Sequence, residues 1–317
     1  MWRRSITSVL LAASLEAAAL AQQSVARTAD PIARGMRLTD FPRTIKVADN
    51  VYTYEDFHAG PEKFTTSNMF VVTSDGVLVA DGQGSPAETK GLVDAIRNVT
   101  PNPFTTVVIA SDHGDHTAGN ASFPAGVHYI IHPSSKAILV HAAEAATKAG
   151  REGGWTPPAD AELVVDKKTI AMGAEEIQIL FLGRAHTGGD LAVWLPRQKI
   201  LFLSEIYLNR VFPAMRSAYP SEWLKALDRA EAMQANIYIA GHGFTETGPV
   251  SQEALRAYHT AWAAGSAEAT RLYKAGVPLE QAITTANWGE YATWTLASSQ
   301  GPIAVRKVYE ELSGHLK

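Results

Sequence analysis

The sequence contains no cysteine. That one absence excludes disulfide-stapled scaffolds, thiolate zinc sites, cysteine nucleophiles and iron–sulfur clusters together. An excess of charge is missing too: 28 Lys and Arg stand against 32 Asp and Glu, a net charge of -4. The chain therefore offers no basic footprint for nucleic acid or anionic lipid. Past the first 21 residues no apolar run is long enough to span a bilayer. What is present is ample apolar material, 46% of 317 residues, enough for a sizeable core in one large domain or two small ones. Catalysis must then draw on oxygen and nitrogen groups, with 10 His available.

Residues 1–21 read as a cleaved export signal: Arg3 and Arg4 give a positive start, Ile6 to Ala21 is mostly apolar, and Ala19-Leu20-Ala21 offers a small-x-small cleavage site before Gln22. Glu16 interrupts the run, against a membrane span; an amphipathic N-terminal helix is the alternative. The Arg pair leaves Sec and twin-arginine export both open. Export without cysteine suits a periplasmic or secreted protein with no membrane insertion after cleavage. Residues 22–43 form a polar lead-in, and residues 44–317 read as a single domain with a C-terminal helical extension.

Thr44 to Val47, Val51 to Tyr54, Met69 to Thr73 and Gly76 to Ala80 read as short strands punctuated by turn residues. A helix opening at Pro86 carries Leu92, Val93 and Ile96 on one stripe. Thr105 to Ile109 and Val127 to Ile131 are strands, and Ser134 to Ala149 a helix. A second series follows the Gly/Pro-rich residues 150–158: strands Glu162 to Val165, Glu176 to Phe181, Leu191 to Trp194, Ile200 to Leu203 and Ile237 to Ile239, with helices Ser221 to Gln234 and Ser251 to Ala275. Two strand-rich halves interleaved with helices predict an α+β fold, sheet on sheet, with helices on both outer faces. The tail from Leu279 reads as helical, its Trp288, Tyr291 and Trp294 packing it onto the body.

Chemistry concentrates in Ser111-Asp112-His113-Gly114-Asp115-His116, directly after an apolar strand. Strand ends project side chains into the crevice beyond a sheet, so two His and an Asp within four positions can converge on one cation. Imidazole with carboxylate suits zinc first, iron or manganese less. His186 and His242 also follow strands and are flanked by glycine, as a close approach to a ligand requires. For His58, His128, His132, His141, His259 and His315 an ordinary hydrogen-bonded role is the default.

These residues resemble the metallo-β-lactamase-fold hydrolases, whose metal segment reads His-x-His-x-Asp-His; the resemblance runs from about Thr44 to Gly243. It implies a four-layer αβ/βα sandwich with metals at the sheet edge. It implies metal roles for His113, Asp115, His116, His186 and His242, with Asp81 supporting the metal loop and Glu205 as the bridging carboxylate. Two departures stand out: Ser111 replaces the first motif His, and Glu205 replaces the usual Asp. Position one would then hold Ser111, His113 and His186, and position two Asp115, His116, His242 and Glu205. Ligand counting predicts one firmly bound ion, zinc for preference, and a second that is weak or absent.

The resulting expectation is an exported hydrolase in which Asp115 orients a metal-activated water that cleaves an ester, lactone, thioester or lactam of a small molecule. Phe57, Phe64, Tyr207, Phe212 and Tyr219 are expected to line its pocket. Two other readings stand beside it. A non-catalytic metal-binding accessory protein would keep the metal without turnover. Gly82-Gln83-Gly84-Ser85-Pro86-Ala87 fits the short dinucleotide pattern G-x-G-x-x-A of an oxidoreductase, although the antiparallel strands before it argue against a Rossmann domain.

Overall fold

A computed structural model describes residues 28–57, 63–151 and 153–316. The expected export signal over residues 1–21, and His58, lie outside the described residues. Seven strands form the first half: β1 Arg43–Ala48, β2 Val51–Phe57, β3 Thr65–Thr73, β4 Gly76–Ala80, β5 Phe104–Ile109, β6 His128–Ile131 and β7 Glu162–Leu163. Five form the second: β8 Lys167–Met172, β9 Glu175–Phe181, β10 Leu191–Leu195, β11 Ile200–Leu208 and β12 Ile237–His242. The helices are α1 Pro86–Val99, α2 Gly114–Thr117, α3 Pro133–Lys148, α4 Pro220–Ala232, α5 Gly248–Lys274, α6 Leu279–Thr285 and α7 Ala297–Leu312.

Local chemistry explains the main helices. Ser85 caps α1, its hydroxyl accepting from the Glu88 amide at 3.3 Å, and Pro86 takes the first turn, where a missing N–H costs nothing. In α4, Trp223, Ala226, Leu227 and Ala230 recur at helical spacing and are all buried.

The strands join into one mixed sheet ordered β7-β6-β5-β4-β3-β12-β11-β10-β9-β8, with β1 and β2 branching from β3. Its halves meet where Thr66 of β3 pairs with His242 of β12, and the sheet folds over so that the halves face one another. Strand periodicity decides which side chain enters which layer. Phe70, Val77, Val79, Val107 and Ile109 point outward onto Leu92, Val93 and Ile96 of α1. Their neighbours Val71, Leu78 and Val108 point inward, against Ile179, Val193, Phe202 and Ile239. On the far side Leu201, Leu203 and Ala240 meet Trp223, Leu227 and Trp262 of α4 and α5. This is the four-layer αβ/βα sandwich, with α5 to α7 added at the C-terminus. Trp288, Tyr291 and Trp294 pack onto the far-side core, Trp288 edge-on to Phe212 at 5.1 Å.

Three details differ from the pattern in the sequence. The strand β8 has no apolar run: it is an edge strand of alternating exposure carrying Lys167 and Lys168, the charges that blunt an edge against further pairing. β11 does not stop at Leu203 but continues to Leu208, wholly buried, through a left-handed Ser204 (φ 47°) that shifts its register with β12. The polar lead-in contributes to packing, since Ala29 and Phe41 are buried and Arg34 pairs with Glu246 at 2.7 Å. No helix among the described residues is long and apolar enough to cross a membrane.

Candidate metal centre

The site forms where the loops after β4, β5 and β9 meet the bulged middle of β11, which carries Glu205, and the end of β12. After β5 the chain enters α2, a single turn whose His113 carbonyl accepts from the His116 amide at 3.0 Å and the Thr117 hydroxyl at 2.8 Å. That turn throws Asp115 and His116 to one side of His113. Two groups result, Asp115–His116–Glu205–His242 and His113–His186–Glu205, each with ligand atoms within 4.8 Å of one another. Glu205 belongs to both.

The distances have the spacing a cation requires. Ligands at about 2.0–2.1 Å from a tetrahedral ion stand roughly 3.3 Å apart. His116 Nε2 lies 3.4 Å from His242 Nε2, and His242 Nε2 lies 3.1 Å from Asp115 Oδ2 and 3.3 Å from Glu205 Oε1. In the other group Glu205 Oε2 stands 3.1 Å from His186 Nδ1 and 3.3 Å from His113 Nδ1. Nε2 of the fully buried His186 makes no hydrogen bond, and its Nδ1 faces only Glu205. Buried polar atoms are normally satisfied, so this donor set fits a divalent cation.

Asp81 braces the loops. Held at φ 63°, its Oδ1 accepts from the amides of Ala110 (2.7 Å) and Ser111 (3.2 Å), while Oδ2 accepts from the Ser204 hydroxyl (2.5 Å) and faces His116 Nδ1 at 3.2 Å. A carboxylate behind a ring nitrogen fixes the tautomer and aims the other nitrogen at the centre. Asn68 pins the next turn by donating to the carbonyls of Asp81 and Gly82. Ser111, at the place of the missing His, donates its hydroxyl to Glu205 Oε2 at 2.5 Å.

Electrostatics follow from this crowding. Burial opposes a charge on His113, but Glu205, Asp115 and Asp112 carry it up to about 9. Burial opposes His242 in the same way, and hydrogen bonds to Asp115 and Glu205 bring it to about 10. Burial also acts against ionised Glu205, yet His113 and His186 hold it well below the usual carboxylate range. Burial with the neighbouring His113 and His242 lowers His186, against the pull of Glu205. The pocket is built to hold positive charge.

The expected pocket aromatics divide. Phe64 stands edge-on to His242 at 5.2 Å, and half-buried Tyr219 lies under the Arg184 guanidinium beside Gly188. Phe57 packs on Phe41 at 4.6 Å. Tyr207 and Phe212, at 1% and 3% exposure, are core residues, as is Phe64 at 4%; the extended β11 and its following loop run beneath α5 and the C-terminal helices. His132 caps α3, His128 pairs with Glu162 and His259 with Glu231, all ordinary roles.

Several contributors had no signal in the sequence. Ser204 gave none because its left-handed bulge is invisible in a strand pattern. Trp223 reads as helix core but also sets its ring edge-on to His186 at 5.4 Å. Asp190 accepts from the Thr187 amide and hydroxyl, both at 2.6 Å, closing the loop that presents His186; burial pushes its carboxyl up to about 7.

The glycine pattern after β4 serves the same loops. The Gly82 amide donates to His116 O and Gln83 O accepts from the Gly119 amide, both at 2.9 Å, so this turn clasps the metal loop. A Cβ on Gly84 would lie 3.3 Å from Asp115 Cα. Gly84→Val should therefore displace Asp115, costing about 1–3 kcal/mol in overpacking and weakening metal binding; denaturation and metal titration of the variant check both, and wild-type values in both would refute the clasp. Because His113 and His242 sit above their ordinary 6.5, their contribution to metal-free stability is complete below that pH and is lost as pH rises through about 9 to 10. Metal must displace those protons, so affinity should rise over the same window with proton release near neutrality. Calorimetry in buffers of different ionisation heat measures this, and a pH-independent affinity would contradict it.

The profile of the Metallo-beta-lactamase superfamily matches residues 63–242. Among similar proteins, metallo-beta-lactamase IND-1 of Chryseobacterium indologenes is 24% identical over 212 residues, 65% of this chain and 84% of that one. The 2,4-dinitroanisole O-demethylase subunit alpha of Nocardioides sp. (strain JS1661) is 22% identical over 207 residues, 65% of this chain and 60% of that one. Among solved structures, a metallo-beta-lactamase from Pontibacter korlensis superposes with a TM-score of 0.57 at 19% identity, covering 69% of this chain and 98% of that one. A double mutant of the sec-alkyl sulfatase PisA1 superposes with a TM-score of 0.64 at 15% identity, covering 87% of this chain but 51% of that one. With the profile spanning more than half of the sequence, and the layered sheet and convergent ligands behind it, the chain belongs to the metallo-beta-lactamase superfamily.

Proposed function

We propose that this protein is an exported, zinc-dependent hydrolase that cleaves an ester, lactone or thioester in preference to a β-lactam. The observation that carries the reading is the pair of ligand groups sharing Glu205, because two adjoining cation positions suit the activation of water beside a polarised carbonyl. A divalent cation held there lowers the pKa of a water and withdraws electron density from the bond to be cleaved.

The chain's own residues do the rest. His116, His186 and His242, buried and aimed by Asp81, Trp223 and the Thr65 carbonyl, hold the donor set rigid. Asp115 and His113 keep 24% and 27% of their side chains exposed, which marks the side from which substrate arrives. Asp115, oriented by His242, accepts the proton of the attacking water and returns it to the leaving oxygen, sulfur or nitrogen. No covalent enzyme intermediate is needed. The relatives' names include a lactamase, an O-demethylase and a sulfatase, which supports a site adaptable to different leaving groups.

Turnover across an ester, lactone, thioester and β-lactam panel at defined metal loading tests the reading, and Asp115→Asn should lower it by about 10²–10⁴. Full metal loading with no turnover of any substrate would favour the accessory protein instead. Export is checked by N-terminal sequencing of natively expressed protein, expected to begin near Gln22; an intact Met1 in a cytoplasmic pool would remove it.

A further inference from the structure

The missing motif His and the enlarged carboxylate are one change, not two. Ser111 Oγ lies 2.5 Å from Glu205 Oε2, and that same oxygen stands 3.1 Å from His186 Nδ1 and 3.3 Å from His113 Nδ1. An imidazole at position 111 would extend its ring beyond Oγ into the volume that Oε2 occupies. An Asp at position 205, one methylene shorter, would withdraw from it. Glu205 keeps its other oxygen 3.3 Å from His242, so the added length lets one carboxylate reach both groups. The Ser111 hydroxyl, fully buried, has room only because it is small, and it fixes Oε2 in place by donating to it.

We propose that Ser111 and Glu205 act as a linked pair that rebuilds the first position as a two-imidazole, one-carboxylate site, His113–His186–Glu205, selective for a divalent cation of five or six ligands such as manganese(II) or iron(II), while Asp115, His116 and His242 hold zinc. This rests on the metal-hydrolase reading and refines it. Two imidazoles and a carboxylate, with the remaining positions left to water, would be a donor set that accepts iron(II) or manganese(II) of higher coordination number as well as an open zinc. His113 is the exposed member of its group while His186 and Glu205 are buried, so water would reach a bound ion from the His113 side. The expected vacancy beside Ser111 is thus filled by carboxylate, and the two positions differ in kind more than in strength.

The test is a titration of the metal-free protein, first with one equivalent of zinc and then with manganese(II), following unbound manganese by its electron paramagnetic resonance signal. Wild type should bind one manganese beside one zinc. Ser111→His/Glu205→Asp should lose at least about tenfold in manganese affinity and take a second zinc, whereas Ser111→His alone should weaken the first position for both metals. Should the double variant not fold, Ser111→Ala, which removes only the donor to Oε2, should still cost about tenfold in manganese affinity with zinc binding unchanged. Two equal zinc equivalents that exclude manganese in the wild type, or Ser111→His alone matching the double variant, would overturn the pairing while leaving zinc-dependent turnover intact. Failure to bind either metal would overturn the hydrolase reading as well.

Discussion

The buried carboxylate of Asp81 is the constraint on which the site depends. It sits at the end of β4 in the first half of the sheet, and it receives donors from the start of the metal loop and from Ser204 in the second half. One side chain thus sets the distance between the two halves at the edge where the ligands converge. It holds a left-handed backbone itself and engages a second left-handed residue, Ser204, conformations that L-residues adopt only when surrounding contacts compensate their cost. The strain lies where Glu205 must turn inward, one residue beyond Ser204.

Around that brace the site concentrates opposite charges in a largely buried space, open at Asp115 and His113. Four imidazoles and the carboxylates of Asp115 and Glu205 lie within a few ångströms, most of them buried. Without a cation His113, His116 and His242 favour their protonated forms, His186 does not, and Glu205 stays ionised. A divalent ion is the natural exchange for those protons. The surrounding apolar layers give the exchange its strength, because low polarity amplifies every interaction within it.

The C-terminal helices close the far side of the sandwich. Their aromatic residues cover Tyr207 and Phe212, turning side chains expected at a pocket rim into core, and Tyr258 of α5 packs edge-on against Tyr207 at 5.5 Å. The exposed part of the site is left to His113 and Asp115. Chain outside the family profile therefore shapes the site indirectly, by fixing the layer beneath it.

Much of this was legible in the amino-acid sequence for a local reason. Alternation in Val77, Leu78, Val79 and the stripe Leu92, Val93, Ile96 reports layers directly, because strand and helix periods decide which face each residue takes. The motif from Ser111 to His116, and the glycine-flanked His186 and His242, announce themselves because ligands at a strand end need compact turns. The edge strand β8 and the bulge in β11 left no such mark, being settled by exposure and by partners far along the chain. The sequence alone determined that Ser111 and Glu205 depart from the family pattern. Only the tertiary structure decided that they meet, since a separation of 94 residues is closed by the folding over of the sheet and not by any local preference.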